Sequence, residues 1–246
     1  MRVKSNNNLL NIDATKTQSG KMQKLFLLLF VGAVLPFMLP PPVAEAGPTM
    51  HQLAFQGLQK KIERRLEKGT DINERDNFAL TPLHYAVLAK RQLMVEWLLD
   101  RGAMIDAGDL NENTALLMAV QRGFVSIAVT LVSRGADVNL GNIQRDTPLI
   151  SASYHGDRGL VMVLLDNGAQ VNAKNGVGLT PLHMAAMGNS PAAIKVLAAH
   201  GANVDAQDED GETPLNKAKN SYVHKLLWKH GARLKKSRKG TIQGKK

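Results

Sequence analysis

The sequence predicts an all-α solenoid of helix-turn-helix units, stacked side by side and joined by extended fingers. Three observations carry the prediction. A Thr-led phrase recurs every 33 residues, as Thr81-Pro82-Leu83-His84, Thr114-Ala115-Leu116-Leu117, Thr147-Pro148-Leu149-Ile150, Thr180-Pro181-Leu182-His183 and Thr213-Pro214-Leu215-Asn216. A second marker keeps the same step: Gly69, Gly102, Gly135, Gly168 and Gly201, each followed by Thr or Ala. Between the markers, apolar residues fall at helical spacing. Self-similarity at a period of roughly 20–50 residues marks units that bury their apolar faces only by stacking.

Taken in order, the chain opens with a stretch to set aside before fold reasoning. Residues 1–21 are polar and Asn-rich. An apolar run of 15 residues occupies 25–39, with Lys21 and Lys24 before it and Pro40, Pro41 and Pro42 after it. Val43-Ala44-Glu45-Ala46 then offers a small-x-small cleavage site before Gly47. Basic flank, short apolar core and Ala-x-Ala predict a secretory signal peptide over 22–46. The competing reading is a retained anchor. Fifteen helical residues reach about 22 Å, short of a hydrocarbon core of about 30 Å, and Pro36 weakens an anchor further. No stable span is therefore expected once the segment is cleaved. Residues 1–21 are an odd overhang for a signal peptide and read as a disordered extension or a mis-called start before Met22.

The repeat region is predicted over 47–234, with units at about 48–76, 77–109, 110–142, 143–175, 176–208 and 209–234. Thr81 stands where a helix N-cap is needed, and its hydroxyl can take an orphan backbone N–H. Pro82 follows at the first helical position, where its missing N–H costs nothing. Leu83, Ala86 and Val87 line one face of a short first helix. Val95, Leu98 and Leu99 line the second, and Gly102 ends it at the position that favours a left-handed backbone. The same grammar recurs through Leu131, Leu164 and Leu197. Pro48 to Gly69 reads as an irregular first unit, in which His51 aligns with His84 and Ile62 and Leu66 fill the second helix. Charged residues Lys60, Lys61, Glu63, Arg64, Arg65 and Glu67 suit the outer side of a cap. The last unit is three residues short, with Gly231 in place of a glycine at 234. Leu226, Leu227 and Trp228 are expected to close its core. Residues 235–246 hold almost nothing apolar and are expected to be a disordered basic tail.

The 33-residue period and the Thr-Pro-Leu-His phrase resemble the ankyrin repeat, a β-turn plus two helices. The resemblance covers roughly 48–235. It implies β-hairpin-like fingers and a bracing role for His84 and His183, each bonding near its Thr and toward the adjacent repeat. Two departures stand out. The glycine two residues before the Thr is kept as Gly178 and Gly211 but replaced by Ala79, Glu112 and Arg145, so the early fingers are either strained or differently turned. Leu117, Ile150 and Asn216 replace the bracing His, so bracing there must differ.

Composition excludes several chemistries. There is no cysteine, hence no disulfide, thiolate nucleophile or Cys-based metal site. The formal charge of +10 is uneven: residues 47–212 hold 15 basic and 19 acidic side chains, and 213–246 hold 11 basic and none acidic. No His-Glu-x-x-His, Gly-x-Ser-x-Gly or phosphate loop occurs. Asp208-Glu209-Asp210-Gly211 superficially looks like a calcium loop, yet the remaining ligand spacing is missing. Of seven histidines, only His155 and His224 lack a repeat-level explanation. No catalytic residue, metal site or cofactor is expected.

A binding surface is the better reading. Ankyrin-like stacks present finger tips and first helices along a concave face. At the tips stand Phe78, Leu80, Leu110, Ile143, Val177 and Leu179; at the exposed ends of the first helices stand Leu88, Tyr154 and Met187. Exposed apolar patches mark partner sites, though neighbouring fingers packing on one another would also explain the row. The expected partner is another protein, with the basic tail as an alternative contact to an anionic surface. Nucleic acid is not expected, since 233–246 carries no aromatic residue for base stacking. Similarity to exported bacterial ankyrin-repeat proteins implies the periplasm, with a secreted effector as the alternative.

Overall fold

The first helices of the stack form because each begins on a capping threonine. In the computed structural model, which describes residues 47–233, twelve helices follow one another in pairs. The first helices are α1 (Met50–Gln56), α3 (Pro82–Leu88), α5 (Ala115–Gln121), α7 (Pro148–His155), α9 (Pro181–Met187) and α11 (Pro214–Lys217). The second helices are α2 (Gln59–Leu66), α4 (Gln92–Asp100), α6 (Val125–Ser133), α8 (Arg158–Asp166), α10 (Pro191–Ala199) and α12 (Ser221–Lys229). The segments 1–46 and 234–246, where the signal peptide and tail are expected, lie outside the described residues.

Each second helix ends the same way. Gly102, Gly135, Gly168 and Gly201 take left-handed φ values of 81–89°, and the next N–H reaches back to Leu98, Leu131, Leu164 and Leu197. Those four leucines are fully buried. They join Leu83, Leu116, Leu149, Leu182 and Leu215 from the first helices in one core that runs from Met50 to Ala232. The described residues 47–233 fall within one contact unit.

First helices pack on their successors more closely than second helices do. The first-helix row is therefore the shorter side of the stack, and the fingers project beside it. The fingers are tight turns rather than paired strands; among the described residues the only bridge is Gly108 to Thr114. On the second-helix row, ion pairs step between units: Glu63 with Arg101 at 3.1 Å, Asp100 with Arg134 at 2.6 Å. Arg101 also lies over the Trp97 ring at 3.7 Å.

The terminal units differ from the middle ones in physical ways. Ile62 is the one buried residue of α2, whose charged face covers the end as expected. The three missing residues of the last unit come out of its first helix, leaving α11 a single turn. His224 Nε2 holds the freed Ala218 carbonyl at 3.0 Å. Trp228 does not close the core. It is 57% exposed, because α12 is the last helix among the described residues and its outward arc is not packed against another of them.

Candidate functional site

Each finger is bracketed by one side chain. Asp76, Asp109, Asn142, Asn175 and Asp208 stand 33 residues apart, and the Oδ1 of each accepts two backbone N–H groups, from the second and fourth residues that follow. The third residue after it closes the turn onto the bracket's own carbonyl. It is left-handed in every finger: Ala79 φ 58°, Glu112 φ 60°, Arg145 φ 61°, Gly178 φ 78° and Gly211 φ 74°. The early fingers are thus turned like the late ones and carry the strain of a Cβ in that region.

Successive fingers are tied backbone to backbone. The N–H groups of Leu110, Ile143, Gly176 and Glu209 donate to the carbonyls of Phe78, Asn111, Gln144 and Val177 at 2.7–3.2 Å. The rungs pack on one another, as the competing reading supposed, yet their apolar tips remain outside. Phe78 is 66% exposed, Leu110 65%, Ile143 52% and Val177 38%. Of the other predicted site residues, Leu80 and Leu88 are half-buried and lean on the core. Leu179, Tyr154 and Met187 are half-buried, with the Tyr154 ring edge-on to His155 at 5.8 Å. Exposed Gln121 interrupts the first-helix series.

The buried histidines are braces. The Thr81 N–H donates to His84 Nδ1 at 3.1 Å, so the ring proton sits on Nε2, which donates to the Asn113 carbonyl at 3.1 Å. His183 does the same between Thr180 and Glu212, and His51 Nε2 reaches the Leu80 carbonyl at 3.0 Å. Burial holds His84 and His183 below the ordinary imidazole pKa, against the opposing pull of those carbonyls. Where Leu117 and Ile150 stand instead, the link between repeats moves to the fingers: Asn142 Nδ2 donates to Asn113 Oδ1 at 3.2 Å and Asn175 Nδ2 to Asp146 Oδ1 at 2.8 Å. Burial raises the Asp146 pKa, and the Asn175 amide offsets part of that. Asn216 keeps the cap, accepting from Thr213 N at 2.9 Å.

A second ladder ties the repeats together. Asn73, Asp106, Asn139, Asn172 and Asp205 each accept a backbone N–H from the next repeat, at Met104, Asp137, Gln170, Asn203 and Arg233. Both Asx series keep the 33-residue step and were available as markers.

The acidic finger does not look like a vacant cation site. Carboxylate oxygens of Asp208, Asp210 and Glu212 lie within 4.8 Å of one another, but the Lys217 ammonium already sits on Asp208 Oδ2 at 2.8 Å and on Glu212. Burial opposes the lysine's charge, and its two carboxylate partners outweigh burial and raise its pKa. Tyr85 is likewise committed: burial and a 2.8 Å bond from its hydroxyl to Asp76 push its pKa up to about 12. No nucleophile stands beside a free base among these groups.

A family model described as ankyrin repeats (three copies) matches residues 50–142, 106–175 and 149–238. The chain is an ankyrin-repeat protein. No curated protein matches it. Ankyrin repeats are generally protein–protein interaction modules and typically non-catalytic, and the bracketed fingers above are the part of this ankyrin stack that faces outward with apolar tips. No helix among the described residues is long and apolar enough to cross a membrane.

Proposed function

We propose that the finger row docks a partner protein and that this ankyrin-repeat chain is a non-catalytic adaptor of the bacterial envelope, exported by the segment 22–46. One observation carries the reading: Phe78, Leu110, Ile143 and Val177 stay exposed on rungs whose backbones are already bonded to one another. Packing between fingers therefore leaves much of these side chains in solvent, Phe78 and Leu110 above all. Apolar residues presented on a pre-ordered scaffold lose little entropy on binding, and the half-buried Tyr154 and Met187 are residue types common at interface centres.

The test replaces Phe78, Leu110 and Ile143 together with serine. The variant should keep its helical circular dichroism and lose the protein that wild type recovers from fractionated cells. Undiminished recovery would remove the finger row from consideration. Export is tested separately. A mature N-terminus at Gly47 in the osmotic-shock fraction supports the envelope; the same species in the medium or in host cells favours a secreted effector.

A further inference from the structure

A different face of the molecule carries its own chemistry. On the second-helix row of the last three repeats, α8, α10 and α12 enclose a groove of about 500 Å³. Met162, Pro191 and Tyr222 contribute to its apolar lining, and Arg158, Lys195 and His200 stand among the lining residues. Asp166 lies 3.9 Å from His200, and the groove's own lining holds two cations, Arg158 and Lys195, and no carboxylate. The groove continues onto the outward arc of α12, where Tyr222, Lys225, Trp228 and Lys229 are all exposed. Tyr222 and Trp228 are 54% and 57% exposed at the two edges of that arc, with both lysines between them. From 213 to 246 the chain carries 11 basic residues and no acidic one, and the described residues end at Arg233, shortly after α12.

We propose that this groove and the α12 arc form a docking surface for an anionic lipid bilayer. Tyr and Trp are the side chains that settle at a headgroup boundary, apolar body inward and polar edge outward. Lys and Arg near such a surface each add electrostatic attraction. Attachment at such a boundary scales with buried apolar area plus electrostatic attraction to anionic lipids, so the two rings and the lysines between them act together. A folded acidic partner would also meet the charge and the aromatic rings, and competition with soluble polyglutamate separates the two. The proposal is independent of the finger row, which belongs to the first-helix side of the stack.

The test uses the 47–246 chain, which contains the whole core, and sedimentation with two vesicle preparations: phosphatidylcholine alone, and phosphatidylcholine with one phosphatidylglycerol in four. Binding is expected only to the second and should weaken steeply with salt. Lys225→Glu with Lys229→Glu should weaken it by about tenfold or more, and Tyr222→Ser with Trp228→Ser by several-fold, each with native circular dichroism. In a Trp97→Phe background Trp228 is the sole tryptophan, and its emission should shift to the blue as vesicles are added. An unshifted Trp228 would overturn the proposal. So would binding lost entirely on deleting 235–246 while the α12 substitutions change nothing, or binding displaced equally by soluble polyglutamate and by lipid.

Discussion

Arg145 and Gly178 occupy the same place in successive fingers with nearly the same backbone, yet they answer to different constraints. A Cβ at φ 61° costs about 1–2 kcal/mol, so Arg145→Gly should stabilise the protein by about 0.5–1 kcal/mol after the extra entropy of glycine in the unfolded chain. At Gly178 the backbone conformation is equally left-handed, but a Cβ would also lie 2.9 Å from the Glu209 nitrogen and 3.1 Å from the Asp208 Cα of the next finger. Gly178→Ala should therefore destabilise, by about 1–3 kcal/mol. Urea denaturation of the two variants checks both signs, and equal behaviour would mean that φ alone governs the turn.

The histidine braces give a pH dependence with a fixed sign. His84 and His183 have folded pKa values depressed by burial, so as pH falls through about 6.5 the unfolded chain takes up their protons first. Stability is full above that pH and is lost below it, by up to about 1.4 kcal/mol per pH unit for each histidine, until the depressed folded values are reached. Leu117 shows that leucine fits this position. His84→Leu with His183→Leu should flatten the slope between pH 5 and 6.5, while costing stability at pH 7 through the orphaned Thr81 and Thr180 N–H groups. A slope unchanged in the double variant would place the titrating groups elsewhere.

At the scale of helices, the pairing of α7 with α9 is the closest inner approach in the middle of the stack, and small residues explain it. Ser151, Ala152 and Ser153 on α7 and Ala185 and Ala186 on α9 are all buried. Gly188, just past α9, lets the chain run against the Tyr154 carbonyl; a Cβ there would sit 2.1 Å from that oxygen. The aligned residues Ala89, Arg122 and His155 carry a Cβ, so this is a property of one interface and not of the repeat. Gly188→Ala should cost about 2–3 kcal/mol by forcing the two helices apart, read as a lowered urea midpoint. Elements of this kind mark the limit of sequence reading. The caps, the leucine rows and the helix-ending glycines were legible because they repeat. The finger brackets also repeat but are harder to see, since the position holds Asp in three fingers and Asn in two. Gly188, the one-turn α11 and the exposed Trp228 were not legible, because each depends on what a neighbouring helix does or fails to cover. For the docking face, the sequence placed apolar residues at the tips but could not say that the backbone bonds between rungs would leave Phe78 and Leu110 outside while Leu80 and Leu88 turned inward.

For the stack taken together, stability should be a sum of unit and interface terms rather than a single global quantity. The central repeats have a neighbour on each side, and α6 buries Ile127, Ala128, Leu131 and Val132. The first repeat has one neighbour, and its outer helix buries Ile62 alone. Hydrogen exchange should accordingly be slowest in α5 through α8 and fastest in α2 and α12, with opening free energies rising toward the centre. Two truncations separate this from an all-or-none molecule. Leu131→Ala removes a fully buried side chain shared by the middle of the core and should cost about 2–5 kcal/mol, lowering protection from α3 to α10 together. Ile62→Ala should release α1 and α2 while the amides of α6 and α8 exchange at their original rates. If Ile62→Ala instead lowered protection uniformly along the chain, the repeats would be behaving as one cooperative block. A partner on the finger row would then sense the terminal repeat as strongly as the central ones.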